Sequence, residues 1–189
     1  MTRILIVDSN GPGLPSLGPG FAAVLTALSR YITCSLCAPY LGQALPEGVF
    51  DGVVLTGSAV PWCVDAPEGQ VLRDIWEQVA GWKVPIWGSC NGMQLAAFML
   101  GGRCAASPQG DEDGLAEAIT LTDIGRVHPM MQGRAHQFCA PCVHRDEVQR
   151  EMRFFVIGHA LHEKSLHPYK GLTARALLLP VPGSLLELP

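Results

Sequence analysis

The chain has 189 residues, a formal net charge of −4, 48% hydrophobic and 16% charged residues, 21 glycines and 15 prolines. It is long enough to bury a real core, and we expect 1–189 to form a single domain. No cluster of lysines or arginines supplies the positive charge that a nucleic-acid backbone or an anionic membrane requires. No apolar run approaches the ~18 to 20 residues of a membrane span. The run Ile4-Leu5-Ile6-Val7 is too short for a signal-peptide core. A soluble, cytoplasmic protein with no nucleic-acid or membrane partner is the expectation.

Arg3 to Val7 reads as a first strand, ended by Asp8. The Gly/Pro-rich stretch from Ser9 to Gly20 reads as a long loop, because proline lacks a donor and glycine carries a large entropy cost. Phe21, Val24, Leu25 and Leu28 follow at helical spacing and predict one apolar stripe on a helix of about three turns. Tyr31 to Cys37 predicts a second strand. Gly52 to Gly57 predicts a third, apolar throughout as in a parallel strand covered on both faces.

Pro67 suits the first turn of a helix whose buried face is Val71, Leu72, Ile75, Trp76 and Val79. Val84 to Gly88 predicts a fourth strand, running straight into a helix that starts near Asn91 and is stopped by Gly101-Gly102. Alternating strands and helices imply a parallel sheet with helices on both faces. Beyond that, Glu117 to Thr122 alternates like an antiparallel strand, and Met152–Ile157 and Ala176–Leu179 are further strand candidates.

Seven cysteines are an odd number for a disulfide framework. Cys34 with Cys37 and Cys139 with Cys142 have C-x-x-C spacing. The pairs stand about 100 positions apart, against the ~15 to 20 of a zinc ribbon. Residues three apart on a strand also point to opposite faces. Thiols that bind no metal are the expectation, and nothing in the sequence calls for a cofactor.

Gly88-Ser-Cys-Asn-Gly92 carries the chemistry. It is G-x-C-x-G between an apolar strand and a helix, the setting of a nucleophile elbow. A sharp strand-to-helix turn strains the nucleophile, and neighbours with a Cβ would collide there. It would set Cys90 at a helix N-terminus, where the dipole and free amides favour a thiolate. The N–H of Asn91 could then face an oxyanion.

Three segments together resemble class I glutamine amidotransferases over roughly residues 1 to 150. They are Val54-Leu-Thr-Gly-Ser58, Pro85-Ile-Trp-Gly-Ser-Cys-Asn-Gly-Met-Gln94 and His144-Arg-Asp-Glu-Val148. The resemblance implies a flavodoxin-like, three-layer α/β fold: an open, mostly parallel sheet, helices on both faces and a small antiparallel extension. It also implies a thiolate that opens the side-chain amide of glutamine, releasing ammonia and leaving a γ-glutamyl thioester for water to clear. Carried over by position, Cys90 is the nucleophile. Gly57 or Ser58, with Asn91, supplies the oxyanion amides, and Gln94 and the backbone near Arg145 and Asp146 hold the glutamine. His144 orients a loop, and His128 is a loop residue. An ammonia acceptor would be a separate synthetase, or water.

The pattern breaks at the base. The family's His-Pro-Glu segment is absent, and where it should follow Ala176–Leu179 the chain reads Val181-Pro182-Gly183. His159, His162 and His167 are the substitutes, with His167-Pro168 first because it keeps the dipeptide. Two other readings stay open: a stand-alone γ-glutamyl peptidase or hydrolase, and a degenerate domain of the same fold that binds without turnover. A stress-response or chaperone-type relative would pair its cysteine with a glutamate ending the first strand, where this chain has Asp8. The cleft is expected at the C-terminal strand ends, with the Ser9–Gly20 loop bordering the substrate.

Overall fold

Four short strands, β1 (Thr2–Val7), β2 (Ile32–Cys37), β3 (Gly52–Leu55) and β4 (Ile86–Ser89), lie parallel in the order β4-β3-β1-β2. The computed structural model describes residues 1–108, 110–150, 158–160 and 176–179. Every residue of β3 is buried, as its unbroken apolar sequence requires in the middle of the sheet.

Successive side chains on a strand face opposite ways, and the two faces of this sheet are covered differently. Leu5, Val7, Val53 and Leu55 pack with the helices α2 (Gln70–Ala80) and α3 (Asn91–Met99). On the other face Val54 and Trp87 meet α1 (Gly18–Leu28), with the Phe21 and Trp87 rings 5.8 Å apart. The expected mostly parallel, flavodoxin-like open sheet is therefore present.

Three details of the helices depart from the sequence reading. α1 begins at Gly18, inside the stretch read as loop, because the Asp8 carboxylate accepts hydrogen bonds from the Leu17 and Gly18 N–H groups and caps the helix from afar. Its apolar stripe, of the kind that ordinarily faces a core, is largely open, with Val24 62% and Leu28 75% exposed. In α2, Leu72, Ile75, Trp76 and Val79 are buried, but Val71 is 38% exposed, on the edge of the apolar face.

The second half supplies antiparallel pieces. β5 (Arg103–Ala106) pairs with β8 (Asp146–Arg150), and β6 (Glu112–Leu121) lies between β7 (Gln137–His144) and β9 (Gly158–Ala160). A short helix, α4 (Asp123–Val127), is capped by the Thr122 side chain. The strand read at Glu117–Thr122 is the end of the longer β6. The candidate at Met152–Ile157 lies outside the described residues.

β10 (Ala176–Leu179) forms as read and extends the main sheet next to β4, but antiparallel to it. Ala176 therefore sits opposite Ser89, beside Cys90, while Leu179 sits opposite Ile86 at the other end of β4. The place read as His-Pro-Glu-equivalent follows the strand end that points away from Cys90.

Candidate active site

Cys90 occupies the single residue between β4 and α3, with φ 47° and ψ −110°. A side-chain-bearing residue held there stores on the order of 1–3 kcal/mol of strain. Two backbone bonds fix the bend. Gly92 N–H donates to Thr56 O at 3.0 Å, and Gln94 N–H donates to Cys90 O at 3.0 Å, closing the first turn of α3.

The glycines of the motif are steric necessities. A Cβ on Gly88 would lie 2.6 Å from the backbone of Gly92 and Met93. One on Gly92 would lie 2.6 Å from the Leu55 Cβ. Strand and helix can meet this closely only without those atoms. A third glycine, Gly57, faces the nucleophile itself, and a Cβ there would come 3.3 Å from the Cys90 Cβ.

The sulfur is half-buried, and its thiol donates to Val143 O at 3.7 Å. Burial pushes the thiol pKa up. The N–H groups of Asn91 and Ser58, both directed at the sulfur, oppose that push, and the Asp146 charge adds to it. The helix terminus thus acts in the direction read from the sequence, but burial outweighs it among the described residues.

Two hollows meet at Cys90, one of about 190 Å³ and one of about 410 Å³. Cys90, Gln94, Val143, His144 and Asp146 border both. Ser89, Met93, Cys142 and Glu147 help close the smaller; Ser58 to Trp62, Asn91, Asp111, Asp113 and Arg145 wall the larger. The nucleophile, oxyanion and substrate-holding residues read from the sequence, Cys90, Ser58, Asn91, Gln94, Arg145 and Asp146, are thus brought to one place. Gly57 stands immediately behind Cys90.

Each of these residues is held by an identifiable contact. Gln94, 4% exposed, donates from Nε2 to Asp146 O at 2.6 Å and so ties α3 to β8. Arg145 grips the Asp146 carboxylate with two hydrogen bonds of 2.8 and 2.6 Å, which raise its own pKa further. The loop after β3 is held from β1: Ala59 N–H donates to Asn10 Oδ1 at 2.9 Å, and Ser58 Oγ donates to Ser9 O at 2.6 Å.

The loop expected to border the substrate is therefore at the correct end of the sheet but one layer back. None of residues 9–20 lines either hollow; they buttress the Ser58–Trp62 segment that does. Asp8, at the position where a cysteine partner could have stood, is committed elsewhere. Its carboxylate accepts from Ser16 Oγ, Leu17 N, Gly18 N and Asn10 N.

Among the described residues, His144 is the histidine that lines the hollows. His128 is the loop residue expected, its Nδ1 accepting from Met130 N–H. His159 is placed by register: its backbone pairs with Thr120, eight positions along β6 from Glu112, the residue paired with His144. At about 3.4 Å per residue that is roughly 27 Å from the site. It is removed as a base. His162 and His167 lie outside the described residues. The sequence reading missed Asn10, Trp62, Asp111 and Asp113, whose roles arise from contacts between distant segments and leave no local signal.

The chain is 36% identical over 112 residues to the gamma-glutamyl-L-1-hydroxyisopropylamide hydrolase of a Pseudomonas species, an alignment covering 57% of this chain and 38% of that protein's length. Residues 115–189 match a family model described as a protein of unknown function (DUF3025). A glutamine amidotransferase from Thermotoga maritima superposes with a TM-score of 0.67 at 17% identity, over 90% of this chain and 69% of that one. A glutamine amido transferase from Methylobacillus flagellatus gives 0.62 at 17% identity, over 85% and 62%. With a strained cysteine between strand and helix and this sheet order around it, the chain has the fold of the class I glutamine amidotransferases.

Proposed function

We propose that the protein hydrolyses the amide bond of γ-glutamyl compounds, glutamine being the simplest, with Cys90 as nucleophile. The observation that carries this reading is the half-buried sulfur at the meeting of two hollows, with the N–H groups of Ser58 and Asn91 directed at it. The Pseudomonas relative is named for hydrolysis of this type. The wider of the two hollows leaves room for more than an ammonia leaving group.

In the mechanism, the Cys90 thiolate adds to the carbonyl carbon. The negative charge that moves onto oxygen is met by the backbone N–H groups of Ser58 and Asn91, with Gly57 keeping that approach clear. The C–N bond then breaks as the nitrogen takes a proton, and a γ-glutamyl thioester remains. Water attacks it, releasing the γ-carboxylate and returning the thiol. Gln94 and the Arg145–Asp146 pair form the wall against which the glutamyl group rests. The proton carrier is His167, of the His167-Pro168 dipeptide. Ammonia released from glutamine passes to a separate synthetase or to water.

A glutamine-mimicking diazoketone tests the reading. A stoichiometric mass adduct on the native chain, absent from Cys90→Ala, is the expected result. No adduct, together with binding of γ-glutamyl compounds without turnover, would replace it with the binding-protein reading. Turnover of N-substituted γ-glutamyl amides but not of glutamine would make the protein a γ-glutamyl hydrolase rather than a glutaminase.

A further inference from the structure

α1 carries no charged side chain, and none occurs anywhere from Ser9 to Ser29. A helix that is apolar on every side is ordinarily buried, yet Gly18 is the only residue of α1 that is. Its single polar side chain, Thr26, donates to Ala22 O at 2.8 Å, so covering the helix would strand no polar side chain. Beside α1 the sheet opens into a hollow of about 540 Å³, walled by Phe21, Val24 and Leu25 of the helix, Val54 and Trp87 of the sheet, and Met130. No charged residue borders it. Leu36 continues the same face, because it and Val54 both pair with Ile6.

The face is large enough for a protein contact. At 62%, 75%, 44% and 52% exposure, Val24, Leu28, Leu36 and Met130 alone leave on the order of 400 Å² of apolar surface, about half of what a standard interface buries on each partner. The exposed Pro19, Gly20, Ala23 and Ala27 of the same helix add to it. Two features select a second copy of the chain as the occupant. The chain has a net charge of −4, so two copies repel wherever their charged surfaces meet, and here they can touch without bringing charge together. The face also carries both halves of a contact. Val24 and Leu28, one turn apart, form a ridge; the hollow beside them is a groove; and Gly20, Ala23 and Ala27 let another helix come close.

We infer that two copies of the chain associate through α1 and the hollow beside it, as an isologous dimer. A two-fold axis sets the ridge of each copy against the groove of the other. The inference is independent of the proposed reaction, since no residue around this hollow borders the two that meet at Cys90.

Sedimentation equilibrium of the native chain from about 5 to about 200 μM tests it, and the mass should rise with concentration toward twice 20.2 kDa. Val24→Glu/Leu28→Glu puts two carboxylates on each ridge and should weaken association by about 100-fold or more, with the chain still folded. Val49→Glu adds a charge at an 80%-exposed residue that borders no part of the hollow, and association should stay native. Should the double glutamate fail to fold, Leu28→Ala takes its place, with an expected weakening of about tenfold. Equal weakening by Val49→Glu, or a native dimer that neither ridge variant weakens, would overturn the inference. So would a native chain that stays at 20.2 kDa throughout. In that case a urea midpoint lowered by the ridge glutamates would mean that the chain covers this face itself, and an unchanged midpoint would leave the face to a different protein.

Discussion

Replacing Asp8 by alanine should cost more than its position just past the end of β1 suggests. The carboxylate is 3% exposed and accepts four hydrogen bonds: from Ser16 Oγ at 2.5 Å, Leu17 N at 2.8 Å, Gly18 N at 3.1 Å and Asn10 N at 3.1 Å. Hydrogen bonds to a charged group contribute about 1.5–3 kcal/mol each. They are not additive, and water can replace some of them around the exposed Ser16. We expect Asp8→Ala to destabilise the fold by about 3 kcal/mol and Asp8→Asn by roughly half as much. Urea unfolding at neutral pH measures both.

The pH dependence supplies a second check on the same residue. Burial raises the Asp8 pKa, but the bonds from Ser16, Gly18, Asn10 and Leu17 outweigh it, and the folded value lies below the ordinary one. A depressed carboxylate stabilises fully above its unfolded pKa and loses that contribution as pH falls through the folded value. The gap between native and Asp8→Asn should therefore hold from neutrality down to about pH 4 and shrink below it. A difference under about 0.5 kcal/mol at neutral pH, or a gap that widens on acidification, would refute the reasoning.

Gly88→Ala should destabilise by at least about 3 kcal/mol, because the new Cβ would meet the Gly92 and Met93 backbone at 2.6 Å and neither strand nor helix can yield cheaply; urea midpoints within error of native would contradict this. Arg145→Gln leaves the 6%-exposed Asp146 carboxylate without its bidentate partner and should cost about 2 kcal/mol, less than a fully buried pair because the guanidinium is 35% exposed. Thermal unfolding against native chain checks it, and an unchanged midpoint counts against a structural role. With burial raising the Cys90 thiol, its alkylation by iodoacetamide, followed by peptide mass mapping, should still be accelerating above about pH 8.5. A plateau near neutrality would mean that an imidazole holds the thiolate.

How far the sequence could be read depended on how local each cause was. The bend at Cys90 was legible because both collisions that demand glycine, at Gly88 and Gly92, arise within four residues of it or against the next strand. β3 was legible because a central parallel strand is apolar at every position. β7 was not foreseen: its inward residues are Phe138, Ala140, Cys142 and His144, a weak apolar signal, and its outward ones include Pro141 and a 71%-exposed Val143. The start of α1 was misplaced because its cap is Asp8, ten residues before Gly18. The clasp of Asn10 on Ala59 spans 49 positions and has no sequence signature. The antiparallel direction of β10 against β4 is not encoded in its four apolar letters.

The backbone at Cys90 has a consequence for the protein's history as well as its chemistry. Its φ of 47° and ψ of −110° suit a residue without a side chain far better than cysteine. Glycine there should make the chain sturdier while silencing it. Descent alone would thus push a duplicate freed from turnover toward losing this one sulfur first, and a copy that keeps it carries a mechanical burden that only use would justify.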